Sequence, residues 1–150
     1  MPEIVGIPRS MKSTLTVDVS FGDTDPAATV FYPNFFRWFD ASTWKLFISA
    51  GLTLDSMKSE FGVVGHPVVD ARSKFMKPVF FGDTIEIVSS VTEWKRKTFE
   101  VSHEVLQDGE LRAEGSEIRC LIALVKDDRQ EFRAIEIPEE IKRRLTEDNS

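Results

Sequence analysis

The segment from Asn34 to Ala50 constrains the fold of this chain more than any other. Its apolar positions are Phe35, Phe36, Trp38, Phe39, Trp44, Leu46, Phe47 and Ile48. They predict a helix about 25 Å long at 1.5 Å per residue, which Gly51 ends. A helix that is apolar around most of its circumference is normally enclosed by other elements. The rest of the chain must therefore supply a surface that surrounds it.

The residues just before this helix suggest chemistry. Asp25 precedes Pro26, and a residue before proline is restricted to extended or turn conformations, so Asp25 is predicted to lie in a tight turn. Pro33 suits the first turn of the helix, whose positive end then lies near this carboxylate. Free backbone donors beside a carboxylate can polarise a carbonyl group while it is attacked. The segment therefore predicts catalysis, with an ordinary turn-stabilising role for Asp25 as the alternative.

The rest of the chain has the pattern of a β-sheet with short helices. Strands are predicted over Ser13–Phe21, Val68–Met76, Thr84–Trp94, Thr98–Leu106 and Leu111–Val125. The last strand is expected to bend or bulge near Gly115, and Asp108-Gly109 supplies the hairpin turn before it. Short helices are predicted over Thr53–Phe61 and Pro138–Leu145. We predict one α+β domain over residues 1–150, with a core over about residues 13–138, in which a curved antiparallel sheet is wrapped around one long central helix.

Composition argues against several classes of function. The net charge of −6 gives no support for nucleic-acid binding. No apolar run approaches the roughly 20 residues of a membrane helix, and the amino-terminal residues lack the apolar core of a secretory signal. The single cysteine, Cys120, excludes an internal disulfide and suits the cytoplasm, where we expect the protein to be. Two histidines and one cysteine, far apart in the sequence, do not favour a zinc site, and we expect no metal.

Six separated motifs occur in an order that points to a known family. They are Gly22-Asp23-x-Asp25-Pro26-Ala27, Val30-Phe31-Tyr32-Pro33-Asn34, Arg37-Trp38-x-Asp40, Phe75-x-x-Pro78-Val79 with Gly82-Asp83, Glu93-Trp94-Lys95-Arg96-Lys97, and Arg133-Ala134-Ile135-Glu136-Ile137-Pro138. From about Leu15 to Pro138 the chain resembles the hotdog fold and, within it, the 4-hydroxybenzoyl-CoA thioesterase family. The resemblance implies an acyl-CoA thioesterase that needs no metal or separate cofactor, because coenzyme A is part of the substrate. It also implies a homotetramer, a dimer of dimers, with sites between subunits.

The resemblance assigns roles to individual residues. Asp25 falls on the catalytic carboxylate, and the backbone N–H of Tyr32 falls on the oxyanion donor. Asp40 falls on the acid that meets the ring hydroxyl of the acyl group, although a solvated or ion-paired residue is the alternative. The positions that hold the phosphates of coenzyme A are matched by Lys95, Arg96, Lys97, Thr98 and Arg133. Without the resemblance, the basic triplet reads as a solvated hairpin.

Three residues depart from the family pattern, and each bears on the acyl group. Ala28 stands where the family usually has glycine, at a cost of about 1 kcal/mol if the position needs a positive φ. Asp55 stands where an aromatic residue can line the acyl pocket. His66 replaces a small hydroxyl residue near the expected path of pantetheine, and it is either a substrate contact or a surface residue. The other histidine, His103, lies on an apolar strand face and is predicted to be packed in the core.

The favoured hypothesis is hydrolysis of an aromatic acyl-CoA, such as hydroxybenzoyl-CoA, to the carboxylate and free CoA. A short or medium aliphatic acyl group is the nearest alternative. Asp25 either attacks the thioester to form a mixed anhydride or deprotonates a water molecule, and the sequence leaves both open. A second class of function is a non-catalytic hotdog module that binds acyl-CoA. A hotdog hydratase is disfavoured, because no histidine follows Asp25 at the spacing those enzymes share.

Overall fold

A computed structural model describes residues 10–126 and 131–146 of the chain. Its elements are β1 (Ser13–Asp18), a 3-10 turn (Phe21–Asp23), α1 (Pro33–Ser49), α2 (Leu54–Phe61), β2 (Val63–Gly65), β3 (Val68–Phe75), β4 (Thr84–Trp94), β5 (Thr98–Gln107), β6 (Glu110–Lys126), β7 (Glu131–Ile135) and α3 (Glu139–Thr146). All strand pairs are antiparallel, which confirms the predicted α+β class. The two short strands β2 and β7 were not predicted.

Seven strands form one sheet, with the order β1-β4-β5-β6-β2 and with β3 and β7 also paired to β6. The 17-residue strand β6 makes this arrangement possible, because its two halves have different partners. Its first half pairs with β3, and its second half pairs with β2 and β7. The other edge of β3 has no strand partner within the described part of the chain.

Helix α1 packs one face against the sheet. The buried residues on this face are Phe35, Trp38, Phe39, Ser42, Thr43, Leu46 and Phe47. Their spacing of three and four residues puts them on one side of a helix. The opposite side is open, with Arg37 and Lys45 exposed and Ile48 55% exposed. The chain therefore encloses α1 less completely than its composition suggests. None of the described helices is long and apolar enough to cross a membrane.

Gly115 marks a close approach of helix and sheet. The irregularity predicted near it falls three residues away, because β6 skips Arg112 between the pairs Leu106–Leu111 and Val105–Ala113, whereas Gly115 itself stays in register opposite His103. A Cβ atom at Gly115 would lie 2.7 Å from Cζ of Phe39, a fully buried ring. The same ring stacks on His103 with centroids 4.7 Å apart. Glycine at this position is therefore a packing requirement of α1.

The first strand is shorter than predicted, ending at Asp18 and not at Phe21. A turn between Ser20 and Asp23 ends it, because the Ser20 N–H and hydroxyl both donate to Asp23 Oδ2, at 2.9 and 2.8 Å. Phe21 lies in this turn and is 73% exposed, with its ring edge-on to Phe81. The alternation of apolar residues thus continued past the true end of the strand.

Candidate active site

Asp25 lies in a tight turn that its own side chain stabilises. Its Oδ1 accepts hydrogen bonds from the N–H groups of Ala27 at 2.9 Å and Thr29 at 3.3 Å. The Thr29 hydroxyl lies 3.0 Å from both carboxylate oxygens and can donate to either. The Ala28 N–H closes the turn by donating to the Asp25 carbonyl at 2.9 Å. Asp25 is therefore a turn-stabilising residue, and these bonds fix the direction of its carboxylate.

Ala28 adopts the left-handed conformation that this turn requires. Its φ is +62°, in the region that glycine occupies without a steric penalty. Its carbonyl oxygen accepts a hydrogen bond from the Phe81 N–H at 3.0 Å, which ties the turn to the loop before β4. The loop thus keeps a glycine-like conformation despite the alanine, at a cost of about 1 kcal/mol.

The start of α1 is anchored to the same turn through Asp23. The Asp23 carbonyl oxygen accepts from the Phe31 N–H at 2.9 Å and from Asn34 Nδ2 at 2.8 Å. Its Oδ1 accepts from Arg37 at 3.0 Å. Partial burial raises the pKa of Asp23, but hydrogen bonds from Ser20 and Arg37 outweigh it and hold the pKa below the ordinary value. One charged side chain and its carbonyl group thus hold the first turns of the helix beside the Asp25 turn.

Asp25 and the start of α1 share one cavity of about 390 Å³. Tyr32 lines it and directly precedes the helix, and its backbone N–H donates no hydrogen bond within the described residues. The rings of Phe35 and Phe75, with centroids 5.3 Å apart, form an apolar wall. A carboxylate, a free backbone donor and an apolar wall are the parts needed to bind and cleave an acyl group.

Asp40 lies two turns further along α1. Its side chain is 53% exposed, and its Oδ1 accepts a hydrogen bond from Arg119 at 2.9 Å. The ion-paired role that the sequence left open is therefore observed. The exposed half of the carboxylate is still open to a ligand.

His66 is buried, so the surface position considered for it is wrong. Only 2% of the residue is exposed, and both its Nδ1 and its carbonyl oxygen lie 2.9 Å from one Arg119 nitrogen. Because arginine can only donate, Nδ1 is an acceptor and the proton of the neutral ring is on Nε2. Burial, and then the positive charge of Arg119, lower the pKa of His66 to about 4. The substrate contact predicted for His66 stays a prediction.

The structure brings together three of the side chains predicted to bind phosphate. Arg96 and Lys97, in the turn between β4 and β5, line a recess of about 290 Å³ together with Arg133 of β7. We refer to Arg96, Lys97 and Arg133 as the cation cluster. Lys95 and Thr98 line a smaller neighbouring recess of about 50 Å³.

In the part of the chain that the structure describes, no group of three or more His, Cys, Asp or Glu side chains could hold a metal ion.

The cation cluster and the Asp25 cavity lie at opposite ends of β4. The loop before β4 pairs with the Asp25 turn through Phe80 and Thr29. The strand then runs from Thr84 to Trp94, and the cation cluster begins two residues later. The eleven residues of β4 are joined by ten steps of about 3.3 Å, so the strand is about 33 Å long.

A buried chain of polar side chains beneath α1 was missed by the sequence analysis. Ser42 Oγ lies 2.6 Å from Ser89 Oγ, which lies 2.6 Å from His103 Nδ1. His103 Nε2 is 2.8 Å from Glu117, whose other oxygen accepts from Arg119 at 2.6 Å. Burial raises the pKa of Glu117, but hydrogen bonds from His103 and Arg119 outweigh it and lower the pKa to about 2. The sequence did contain a signal for this chain: Glu117 and Arg119 alternate with the outward residues of β6, on the same face as the buried Ala113 and Leu121. The core position predicted for His103 is confirmed.

Comparison with known proteins identifies the family. The family model described as the thioesterase-like superfamily matches residues 19–145. The chain belongs to this superfamily. The chain is 34% identical to the 4-hydroxybenzoyl-CoA thioesterase of Pseudomonas sp. (strain CBS-3) over 131 residues, a match that covers 83% of this chain and 91% of the relative.

Solved structures agree with this assignment. The structure of the Pseudomonas 4-hydroxybenzoyl-CoA thioesterase matches this chain with a TM-score of 0.80 and 33% identity, over 89% of this chain and 98% of that one. A gentisyl-coenzyme A thioesterase matches with a TM-score of 0.76 and 28% identity, over 89% and 99% of the two chains. The hotdog fold predicted from the resemblance is confirmed.

Proposed function

We propose that this protein hydrolyses an acyl-CoA thioester to the carboxylate and free CoA. The observation that carries the proposal is that the Asp25 carboxylate lines the same cavity as Tyr32, whose N–H donates to no group of the described residues. The N–H lies at the positive end of α1, where it stabilises the negative charge that develops on the thioester oxygen. The relatives named above, which act on 4-hydroxybenzoyl-CoA and gentisyl-CoA, support the same reaction class.

Asp25 supplies the second half of the chemistry in either of two ways. As a nucleophile, a carboxylate oxygen attacks the thioester carbon, the CoA thiolate leaves, and water cleaves the mixed anhydride. As a general base, the carboxylate takes a proton from the water molecule that attacks. Because two backbone N–H groups occupy Oδ1 and only the Thr29 hydroxyl reaches Oδ2, we assign either role to Oδ2.

The acyl group that we propose is an aromatic ring with a hydroxyl group. Asp40 lies eight residues after Tyr32, which is about 12 Å along a helix axis. A 4-hydroxybenzoyl group measures about 6 Å from carbonyl carbon to phenol oxygen, and a hydrogen bond of about 2.9 Å at each end extends its reach to about 12 Å. The Phe35 and Phe75 rings, which line the cavity beside Tyr32, suit an aromatic group. An aliphatic acyl group, the alternative, offers no donor to Asp40.

We propose that the CoA phosphates bind the cation cluster of a second subunit. The Asp25 cavity and the cation cluster of one chain are separated by the length of β4, roughly 33 Å. An extended pantetheine arm is shorter than this distance, so one substrate does not reach both places on the same chain. The unpaired edge of β3 is a suitable subunit contact, because Val68 and Val69 are exposed on it. We therefore also propose the homotetramer, a dimer of dimers, that the resemblance implies.

We also propose a cytoplasmic location. The support is the single cysteine of the sequence, which suits a reducing compartment. Cys120 is partly buried, and burial raises the pKa of its thiol, so little of it is in the reactive thiolate form. Fractionation of the native host cell checks this location.

Release of free thiol from benzoyl-, 4-hydroxybenzoyl-, phenylacetyl- and aliphatic CoA esters tests the function. We expect Asp25→Asn to lower kcat by about 100-fold or more, because it removes the nucleophile or base. Asp108→Asn is the matched control, because Asp108 lies in the β5–β6 turn at a positive φ that asparagine tolerates. Equal rates for Asp25→Asn and the parent would dispose of the proposed mechanism. Tight binding of the esters by the parent protein without thiol release would instead favour the non-catalytic module.

Rapid-quench mass spectrometry separates the two roles of Asp25. With enzyme in excess over substrate, a mass increase of one acyl group on the peptide that contains Asp25 identifies the nucleophilic route. The general-base route is expected to give no acylated peptide at any quench time, and in ¹⁸O-labelled water it puts the label in the product and none in Asp25.

A further inference from the structure

Arg119 is a buried guanidinium that connects α1, β6 and the segment before β3. Its side chain is only 2% exposed. It donates hydrogen bonds to Asp40 Oδ1 at 2.9 Å, to Glu117 Oε2 at 2.6 Å and to the carbonyl oxygen of His66 at 2.9 Å. The planar guanidinium can bind several acceptors at fixed angles, which the single ammonium of lysine cannot do.

Glu117 keeps Arg119 in place. Its Oε1 accepts from Thr43 at 2.5 Å and lies 2.8 Å from His103 Nε2, so Oε2 faces Arg119. The lowered pKa of Glu117 leaves both members of the pair charged at neutral pH. Breaking such a buried pair is costly, because it leaves an uncompensated charge. The guanidinium therefore has a fixed position that does not depend on Asp40.

Asp40 is held by this guanidinium through one oxygen only. Its Oδ1 accepts from Arg119, whereas its Oδ2 has no hydrogen-bond partner among the described residues. A half-exposed carboxylate would otherwise exchange between rotamers in water. Asp40 thus presents one free acceptor atom in a fixed direction at the surface of α1.

We propose that Arg119 is a positioning residue that orients Asp40 to accept a hydrogen bond from the hydroxyl group of the bound acyl ring. This inference rests on the proposed function and extends it to a residue that makes no contact with the substrate. Because Glu117 already balances the charge of Arg119, the group of three keeps one net negative charge. That charge favours a neutral hydroxyl donor and disfavours an acyl ring that carries a carboxylate. Arg119 therefore sets substrate selectivity through Asp40.

The variant Arg119→Lys tests the inference, because it keeps the buried positive charge and loses the fork that reaches Asp40. Steady-state kcat and KM are measured with 4-hydroxybenzoyl-CoA and benzoyl-CoA. We expect kcat/KM for the hydroxylated ester to fall about tenfold or more, and that for benzoyl-CoA to change less than about twofold. In the double variant Asp40→Ala/Arg119→Lys, the ratio of kcat/KM for the two esters should equal the ratio in Asp40→Ala alone, because both substitutions remove the same interaction.

Two further variants keep the result interpretable. Arg144→Lys is the matched control, because Arg144 also joins two carboxylates, Glu60 and Glu140, and should leave both constants unchanged. If Arg119→Lys does not fold, Arg119→Met combined with Glu117→Gln removes both buried charges together. It is expected to give the same loss of selectivity.

The possible outcomes separate the inference from the proposed function. If Arg119→Lys lowers kcat/KM by the same factor for both esters, or for neither, the positioning role is overturned while thioesterase activity stands. If the parent protein hydrolyses neither of these esters nor any other acyl-CoA, the proposed function itself fails. Selective loss with the hydroxylated ester supports the inference.

Discussion

The position of the Asp25 carboxylate depends mainly on its immediate neighbours in the chain. Four hydrogen-bond contacts from Ala27 and Thr29 orient the carboxylate within five residues. The left-handed φ of Ala28 is the strained part of the same turn. Strain of this kind is found at functional loops, where surrounding hydrogen bonds over-determine the conformation. The tight Asp-Pro turn therefore fixes the carboxylate to which the proposed function assigns the chemistry.

His66 makes the stability of the protein depend on pH. Its pKa is lowered from 6.5 to about 4 in the folded state, so unfolding takes up a proton between these values. The stabilisation is complete above pH 6.5 and is lost as the pH falls through 4, by up to about 3 kcal/mol. Glu117, with its pKa lowered from 4.5 to about 2, adds a further loss below pH 4.5.

Thermal unfolding across this range checks the contribution of His66. The comparison is with His66→Asn, whose amide oxygen can still accept from Arg119 but which does not titrate. We expect the Tm of the parent protein to fall between about pH 6.5 and pH 4.5 and the fall to be smaller in the variant. Parallel decreases in the two proteins would show that another group is responsible.

Among the elements, β6 has the largest influence on the fold. Because it is long enough to pair with β5 and β7 on one edge and with β3 and β2 on the other, it holds four strands in one sheet. Its inward face also carries Gly115, Glu117 and Arg119, which contact Phe39, Thr43 and Asp40 of α1 respectively. Changes on this face therefore act on helix packing and on the buried ion pairs together.

Gly115→Ala is expected to lower the free energy of unfolding by about 1–3 kcal/mol, since the new Cβ meets the buried Phe39 ring. Urea unfolding measures the change. Gly22→Ala is the matched control, because no atom lies within 4 Å of its Cβ position and its φ is not left-handed. Equal free energies of unfolding for the two variants would contradict the packing role of Gly115.

At the scale of the whole molecule, exposed aromatic rings are concentrated in the segments that adjoin the Asp25 turn. The most exposed are Phe21, Phe31, Tyr32 and Phe81, each with more than half of its surface open. Neighbouring rings touch one another, as in the pair Phe31–Tyr32 with centroids 5.5 Å apart. Monomeric proteins rarely leave an apolar cluster of this kind uncovered. The cluster therefore supports the proposal that a second copy covers this region.

Complementation between inactive variants tests whether a site draws on two subunits. Asp25→Asn removes the carboxylate, and Arg133→Glu reverses one charge of the cation cluster, so each variant alone should have low kcat/KM. Co-expression should restore about a quarter of the parent activity, because half of the dimers are mixed and each mixed dimer has one intact site. Restored activity is expected only if Asp25 and Arg133 of one site come from different chains. No recovery in a preparation shown to contain mixed oligomers would contradict the shared site.

The sequence by itself determined the local features of this protein. Hydrophobic spacing predicted α1 and β4, the Asp108-Gly109 pair predicted a hairpin turn in which both φ values are positive, and the Asp-Pro step predicted the Asp25 turn. These features depend on steric limits and hydrogen bonds between residues a few positions apart, which a linear pattern can show. The motifs also placed Asp25 and Tyr32 at one cavity.

Only the tertiary structure decided which distant residues meet. Arg119 lies 79 positions from Asp40 and 53 from His66, and nothing in the spacing of these residues indicates their contact. The close packing of Phe39 on Gly115 and the separation of the cation cluster from Asp25 by the length of β4 have the same origin. Such contacts follow from strand order and register, which are set by the burial of the whole core and not by any one segment.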